Sequence, residues 1–162
     1  MSETGCDNLR HKGRLTTLQV ALQCATENPA TTDYQPLGAV NTKSLAFNGS
    51  PIEINDSSST GLTENMMGQG AVNISLSGNC LREDGTMTVM GAIERLWFNS
   101  CIDGEKSPVI LVEYARPVNT LTAYMMVSSV SIEDPNAEVS TWTMELVLAE
   151  SKLYPPTLTL AA

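Results

Sequence analysis

Between Leu15 and Cys24 the side chains alternate, with Leu18, Val20, Leu22 and Cys24 on one face and Thr17, Gln19, Ala21 and Gln23 on the other. That period of two predicts a half-buried strand. Residues 26 to 38, rich in Thr, Asn, Pro and Asp, predict a loop. Next, Lys43 to Phe47 and Ile52 to Asn55 flank Asn48-Gly49, a dipeptide that readily takes the positive φ angles of a tight hairpin turn. Residues 56 to 70, polar and bracketed by glycines, predict a long loop, and loops of that length in compact domains are usually either functional or disordered. Val72, Ile74 and Leu76 alternate with Asn73, Ser75 and Ser77 to give another strand.

The period then changes. Met90, Ile93, Leu96, Trp97 and Cys101 recur at helical spacing, so residues 86 to 100 are expected to form the one helix, with Asp84 or Thr86 as N-cap and Asp103-Gly104 as the turn that ends it. Val109 to Tyr114 is an apolar run fit for a strand. Two long strands follow, 120 to 132 and 138 to 149, joined by Glu133-Asp134-Pro135-Asn136; in the second, Trp142, Met144, Leu146 and Leu148 share a face. Six or seven strands and one helix make a mainly β fold, a sandwich or barrel with one flanking α-helix. Residues 1–14 read as an N-terminal arm, 15–150 as the domain, and 151–162, with Pro155-Pro156, as an extended C-terminal arm.

Composition narrows what such a domain does. The chain has 162 residues, 42% of them hydrophobic and 17% charged, enough for a single core and too apolar for wholesale disorder. With 18 acidic and 9 basic residues the formal charge is -9, a field that repels phosphate backbones and anionic lipid surfaces. The exception is a short basic patch, Arg10, His11, Lys12 and Arg14, which reads as a solvated arm. Leu15 to Cys24 is too broken by polar residues for a signal-peptide core, and no run is long enough to anchor the chain in a membrane. The Asn-x-Ser triplets at Asn48, Asn55 and Asn73 are therefore expected to carry no glycan.

No catalytic or metal-binding constellation emerges, and no cofactor is implied. Cys6, Cys24, Cys80 and Cys101 are widely spaced, with His11 the single histidine, whereas zinc sites and dithiol chemistry need closer ligands. They are expected to be free thiols in a reducing compartment, Cys24 and Cys101 as small core hydrophobes. Glu83/Asp84 and Glu133/Asp134 fall in predicted turns, where carboxylates cap or stay solvated. Gly68-Gln-Gly70 precedes a strand instead of opening a helix, so it is not a phosphate cradle. Trp97 and Trp142 lie on apolar faces and are expected in the core.

The order of these pieces resembles the major tail tube proteins of long, non-contractile-tailed (siphovirus-type) bacteriophages. Lys43-Ser-Leu-Ala-Phe-Asn-Gly-Ser-Pro-Ile-Glu-Ile54 is similar to that family's early hairpin and leads into a polar, Thr-containing loop. Gly70-Ala-Val-Asn-Ile-Ser-Leu-Ser-Gly78 is similar to its Ser-alternating strand. The central helix follows in place, and Val127 to Ile132 with Val139 to Leu148 looks like its closing strand pair. The four cysteines and the Pro155-Pro156 tail are departures from the pattern.

The resemblance implies a structural virion protein, not an enzyme. It would assemble in the host cytoplasm into stacked hexameric rings with a continuous inner β-barrel, the conduit for DNA ejection. The implied partners are other copies of itself and the tape-measure, tail terminator and distal tail or baseplate proteins, with DNA only in transit. On that basis Asp56, Ser57, Ser58, Ser59, Thr60, Gly61 and Glu64 are candidates for an inter-ring loop. Glu113 and Glu145 are candidates for acidic groups facing the lumen, in a ring whose six copies would carry 6 × (-9) = -54. An inner-tube protein of a type VI-like secretion system and a monomeric β-sandwich decoration or binding module stand as alternatives.

Overall fold

A computed structural model describes residues 16–29, 33–37, 40–54, 64–79 and 89–160. The elements run β1 (Thr17–Ala21), β2 (Gln35–Pro36), β3 (Val40–Ile54), β4 (Glu64–Asn79), α1 (Val89–Asp103), β5 (Val109–Ala115), β6 (Asn119–Glu133), β7 (Thr141–Leu148) and β8 (Thr157–Leu160). All strand pairs are antiparallel, in the order β2-β1-β5-β6-β7-β4-β3, with β8 added to β6. Among the described residues the fold is mainly β with one helix, and the sheet is not closed into a barrel.

Alternation places the core on one face. Leu18 and Val20 of β1, Ile74 and Leu76 of β4, Ile110 and Val112 of β5, Met125 and Val127 of β6, and Trp142, Met144 and Leu146 of β7 all point inward, where Met90 and Ile93 of α1 meet them. The ends of the strand order meet across this core: Lys43 Nζ of β3 donates to the Thr16 carbonyl, just before β1, at 2.6 Å. A second, smaller cluster forms on the opposite face of β1, β5 and β6. There Ala21, Leu111 and Tyr124 are covered by Ala25, Tyr34, Ala149 and Tyr154.

β6 holds the two halves together. Its first half lies between β5, which pairs with Thr120 to Met126, and β8, which pairs with Asn119 to Thr122. From Met125 onward its partner on the β8 side is β7. A register shift between Val127 and Ser129 inserts one residue, the signature of a β-bulge, which bends a strand and re-aims its side chains.

Several sequence expectations need correction. Asn48-Gly49 is not a hairpin turn: β3 runs through it, pairing Asn48 with Ala71 and Gly49 with Gly70, and Gly104 is the one residue described with a positive φ. A Cβ on Gly49 would lie 2.5 Å from the Met67 sulfur, the far end of a flexible, exposed side chain that can move aside. A register shift between Gly49 and Pro51 then accommodates the proline, whose missing N–H cannot serve a regular ladder. Of the expected loop 56 to 70, residues 64 to 70 are strand.

β1 stops at Ala21, where the Gln23 amide turns back onto the Ala21 carbonyl. Leu22 and Cys24 therefore leave the alternation and are exposed. Among the described residues the helix occupies 89 to 103, running past the expected end at 100; Asp84 and Thr86 lie outside the described residues. At 100° per residue, Ser100 returns to within about 20° of Ile93, whereas Cys101 swings about 80° away. Accordingly Ser100 is buried, its hydroxyl donating to the Leu96 carbonyl at 2.7 Å, and Cys101 is exposed. Gly104, with φ 65°, ends the helix as expected. Among residues expected to share the inward face of β7, Leu148 is partly exposed at the strand's end. Two elements went unpredicted, the two-residue β2 inside an expected loop and β8, which forms within the expected C-terminal arm.

Candidate assembly surfaces

Four strand segments share an open, polar outer face. Across β3, β4, β7 and the end of β6 one row reads Ser44, Ser75, Glu145, Ser129, and the next Thr42, Ser77, Thr143, Ser131. Asn79, Thr141 and Glu133 extend it. Most of these residues alternate with inward apolar neighbours, which is why the polar pattern is so regular; beside Thr42 the inward residue is Lys43. Ser75 Oγ donates to a Glu145 carboxylate oxygen at 2.7 Å, and Ser128 Oγ to the Glu145 backbone carbonyl at 3.1 Å. Glu133 and Glu145 are the carboxylates of this face, two of the chain's 18. No lysine or arginine stands among its described residues. The face is a lattice of hydroxyls and amides with sparse negative charge.

The structure does not bring Glu113 and Glu145 together. Both point away from the main core, but Glu113 pairs with Gln19 and Thr122 in the covered half of the sheet, half-buried. It lies close enough to Tyr34 to contribute to that phenol's raised pKa, whose larger cause is burial. Tyr124 anchors the covering segments: its hydroxyl donates to the Glu27 carbonyl and accepts from Gln23 Nε2 at 2.7 Å. Trp142 is buried in the main core, and Trp97 is half-buried against it.

A second surface is a two-stranded arm. Beyond the row of Ala46 and Asn73, β3 and β4 pair only with each other among the described residues, and Phe47, Ile52, Met66 and Met67 are exposed on them, Met67 at 71%. An isolated two-stranded ribbon is marginal in water, and clustered exposed apolar side chains mark interaction surfaces. The arm is held tightly at Gly68, where a Cβ would meet the Ser50 carbonyl oxygen at 2.6 Å. Of the candidate loop residues, Asp56, Ser57, Ser58, Ser59, Thr60 and Gly61 lie outside the described residues, while Glu64 opens β4. The arm's apolar exposure leaves no clear period-two signal in the sequence, because the Met66-Met67 pair breaks the alternation that marks a strand.

The sheet, helix and projecting arm give a fold that is shared with solved subunits of tail assemblies. In particular, the structure resembles a chain in the tail of an empty gene transfer agent particle with C6 symmetry, with a TM-score of 0.63, 15% identity, and coverage of 94% of this chain and 100% of that one. The SPP1 tail tube gives a TM-score of 0.58 and 9% identity, covering 94% of this chain and 80% of that one. A chain of the anti-feeding prophage baseplate, 6-fold symmetrised, gives 0.52 and 12%, covering 96% and 97%. No protein-family model matches the chain, and no curated protein matches it in sequence. At such identities the likeness is one of fold.

Proposed function

We propose that this protein is the structural subunit of a phage-type tail tube, residing in the virion tail, whose copies close into hexameric rings and stack into a conduit for DNA. The observation that carries the reading is a tail-subunit fold, shared over 94% of the chain with a tube-forming neighbour, in which an open sheet presents one polar, cation-free face. Six such sheets joined edge to edge would wall a lumen with Ser, Thr and Asn, with Glu145 and Glu133 among them. Glu113, in the covered half, would flank the bore.

Hydroxyls and amides hold water, and carboxylates repel phosphates within a screening length of about 8 Å at physiological salt. DNA therefore slides past a wet wall that gives it no cation to grip. Stacking falls to the β3–β4 arm, whose apolar side chains, with Glu64 at the start of β4 and the segment Asp56 to Gly61, reach the next ring. Tape-measure, tail terminator and distal tail or baseplate proteins are the other partners of such a tube.

The test is electron microscopy of the concentrated protein, alone and with tail-initiation proteins; hollow six-fold tubes are expected, and monomers in both preparations contradict the reading. Within tubes, Glu145→Lys with Glu133→Lys should leave assembly intact and slow DNA ejection. Unchanged ejection removes the electrostatic part of the account.

A further inference from the structure

Two thioethers stand side by side in the open on the β3–β4 arm. Met66 is 53% exposed and Met67 71%, whereas Met90, Met125 and Met144 are buried in the main core and Met126 is half-buried. Met66 lies opposite Ile52, and Met67 opposite Pro51. The Met67 sulfur reaches to Gly49, which has no side chain to screen it. Residues 47–54 and 64–71 contribute nothing to either apolar core among the described residues.

We propose that Met66 and Met67 form a sulfoxidation site, at which hydrogen peroxide takes the free subunit out of tube assembly and methionine sulfoxide reductases return it. The effect on assembly rests on the stacking role given to the arm above; the selectivity of the reaction does not. The step balances as a two-electron oxidation. The thioether sulfur attacks one peroxide oxygen, an S–O bond forms as the O–O bond breaks, and the second oxygen leaves with both protons as water. In repair two thiols supply the electrons, and the products are the thioether, a disulfide and water.

Access and consequence both single out this pair. Peroxide must touch the sulfur, and burial denies it Met90, Met125 and Met144. Oxidation turns a flexible apolar side chain into a polar, chiral one. A thioether can be covered by a partner at no polar cost, but a covered sulfoxide oxygen loses its water and is penalised unless it finds a donor. Because the arm lies outside both cores, the change acts on what the arm can contact and leaves the domain folded. The exposed thiols Cys24 and Cys101 meet the same peroxide, so the test must separate sulfur from sulfur.

Dilute full-chain subunits treated with hydrogen peroxide and then dithiothreitol, mapped by peptide mass spectrometry, provide that test. Met66 and Met67 should gain oxygen at least ~10-fold faster than Met90, Met125 and Met144, with melting within a few degrees of the untreated protein. Treated subunits should form far fewer tubes with tail-initiation proteins, and methionine sulfoxide reductases should restore the yield where dithiothreitol alone does not. Met66→Leu with Met67→Leu, which keeps the arm apolar, should form tubes with or without peroxide. Oxidation spread evenly over the methionines overturns the site. Tubes formed normally by doubly oxidised subunits, recovery with dithiothreitol alone, failure of the reductases, or an equal peroxide block in the double variant overturns the switch. Untreated wild type that stays monomeric overturns the tube reading and the switch with it, while the oxidation map still decides the site.

Discussion

The two halves of β6 are one strand in two environments. From Leu121 to Val127 it is buried on the core face by Leu121, Ala123, Met125 and Val127, and Tyr124 is buried on the other face. Neighbouring strands lie along both of its edges. From Ser128 to Glu133 one face is exposed Ser, Ser and Glu, the other is only partly buried Val130 and Ile132, and one edge has no partner among the described residues. The first half holds the subunit together; the second leaves open what another subunit can use. The bulge between them is the boundary, and in the proposed ring it would let one strand serve stability and assembly without one compromising the other.

The comparison breaks most sharply under truncation. Met125→Ala, at a fully buried site, should cost about 2–5 kcal/mol, measured by denaturant unfolding. A cost below 1 kcal/mol would mean that the first half is not the structural one. Next in size, Gly68→Ala forces a Cβ into the Ser50 carbonyl and should cost about 1–3 kcal/mol, felt as faster hydrogen exchange in the arm while the core stays protected. An unchanged arm would show that the close approach at Gly68 is not required.

Smaller still, Tyr124→Phe removes the hydroxyl bonds to Glu27 and Gln23 and should cost about 1 kcal/mol. Burial, the largest cause, raises the Tyr124 phenol above its ordinary 10.0. Because the folded value is the higher, this contribution is whole below about pH 10 and drains away as pH rises through the folded value. Wild type should lose stability in alkali more steeply than Tyr124→Phe; equal slopes would dissociate the phenol from the effect. Smallest of all, Ser131→Ala in the second half should leave monomer stability within about 0.5 kcal/mol, and a larger loss would show that the exposed half is structural after all.

Much of this architecture was legible from alternation. Wherever one face is buried, as in β4, β6 and β7, period two names the strand and its inward residues, because a shifted register would expose the whole apolar set. It failed where burial is absent. In the arm, Asn48-Gly49 carries turn chemistry, but the local preference yields to a continuous ladder through β3 and β4. β8 escapes the period-two signal and reads only as an extended arm, since all four of its residues are exposed and its pairing with β6 rests mainly on the backbone ladder. The polar face could be read from Ser75, Ser77, Thr143 and Glu145, yet the separation of Glu113 from Glu145 could not, because it depends on Tyr34 and the segments folded over one half of the sheet. The open edge of β6 was likewise hidden, for no residue type marks where a neighbouring strand stops.

The central claim is that the Ser44–Ser75–Glu145–Ser129 face lines a tube built from this chain. Cryo-electron microscopy of the full chain assembled with tail-initiation proteins tests it directly. The account predicts six-fold hollow tubes with that face turned to the lumen and the sheet continuous from subunit to subunit. Tubes with that face turned outward, or a protein that stays monomeric, would contradict it.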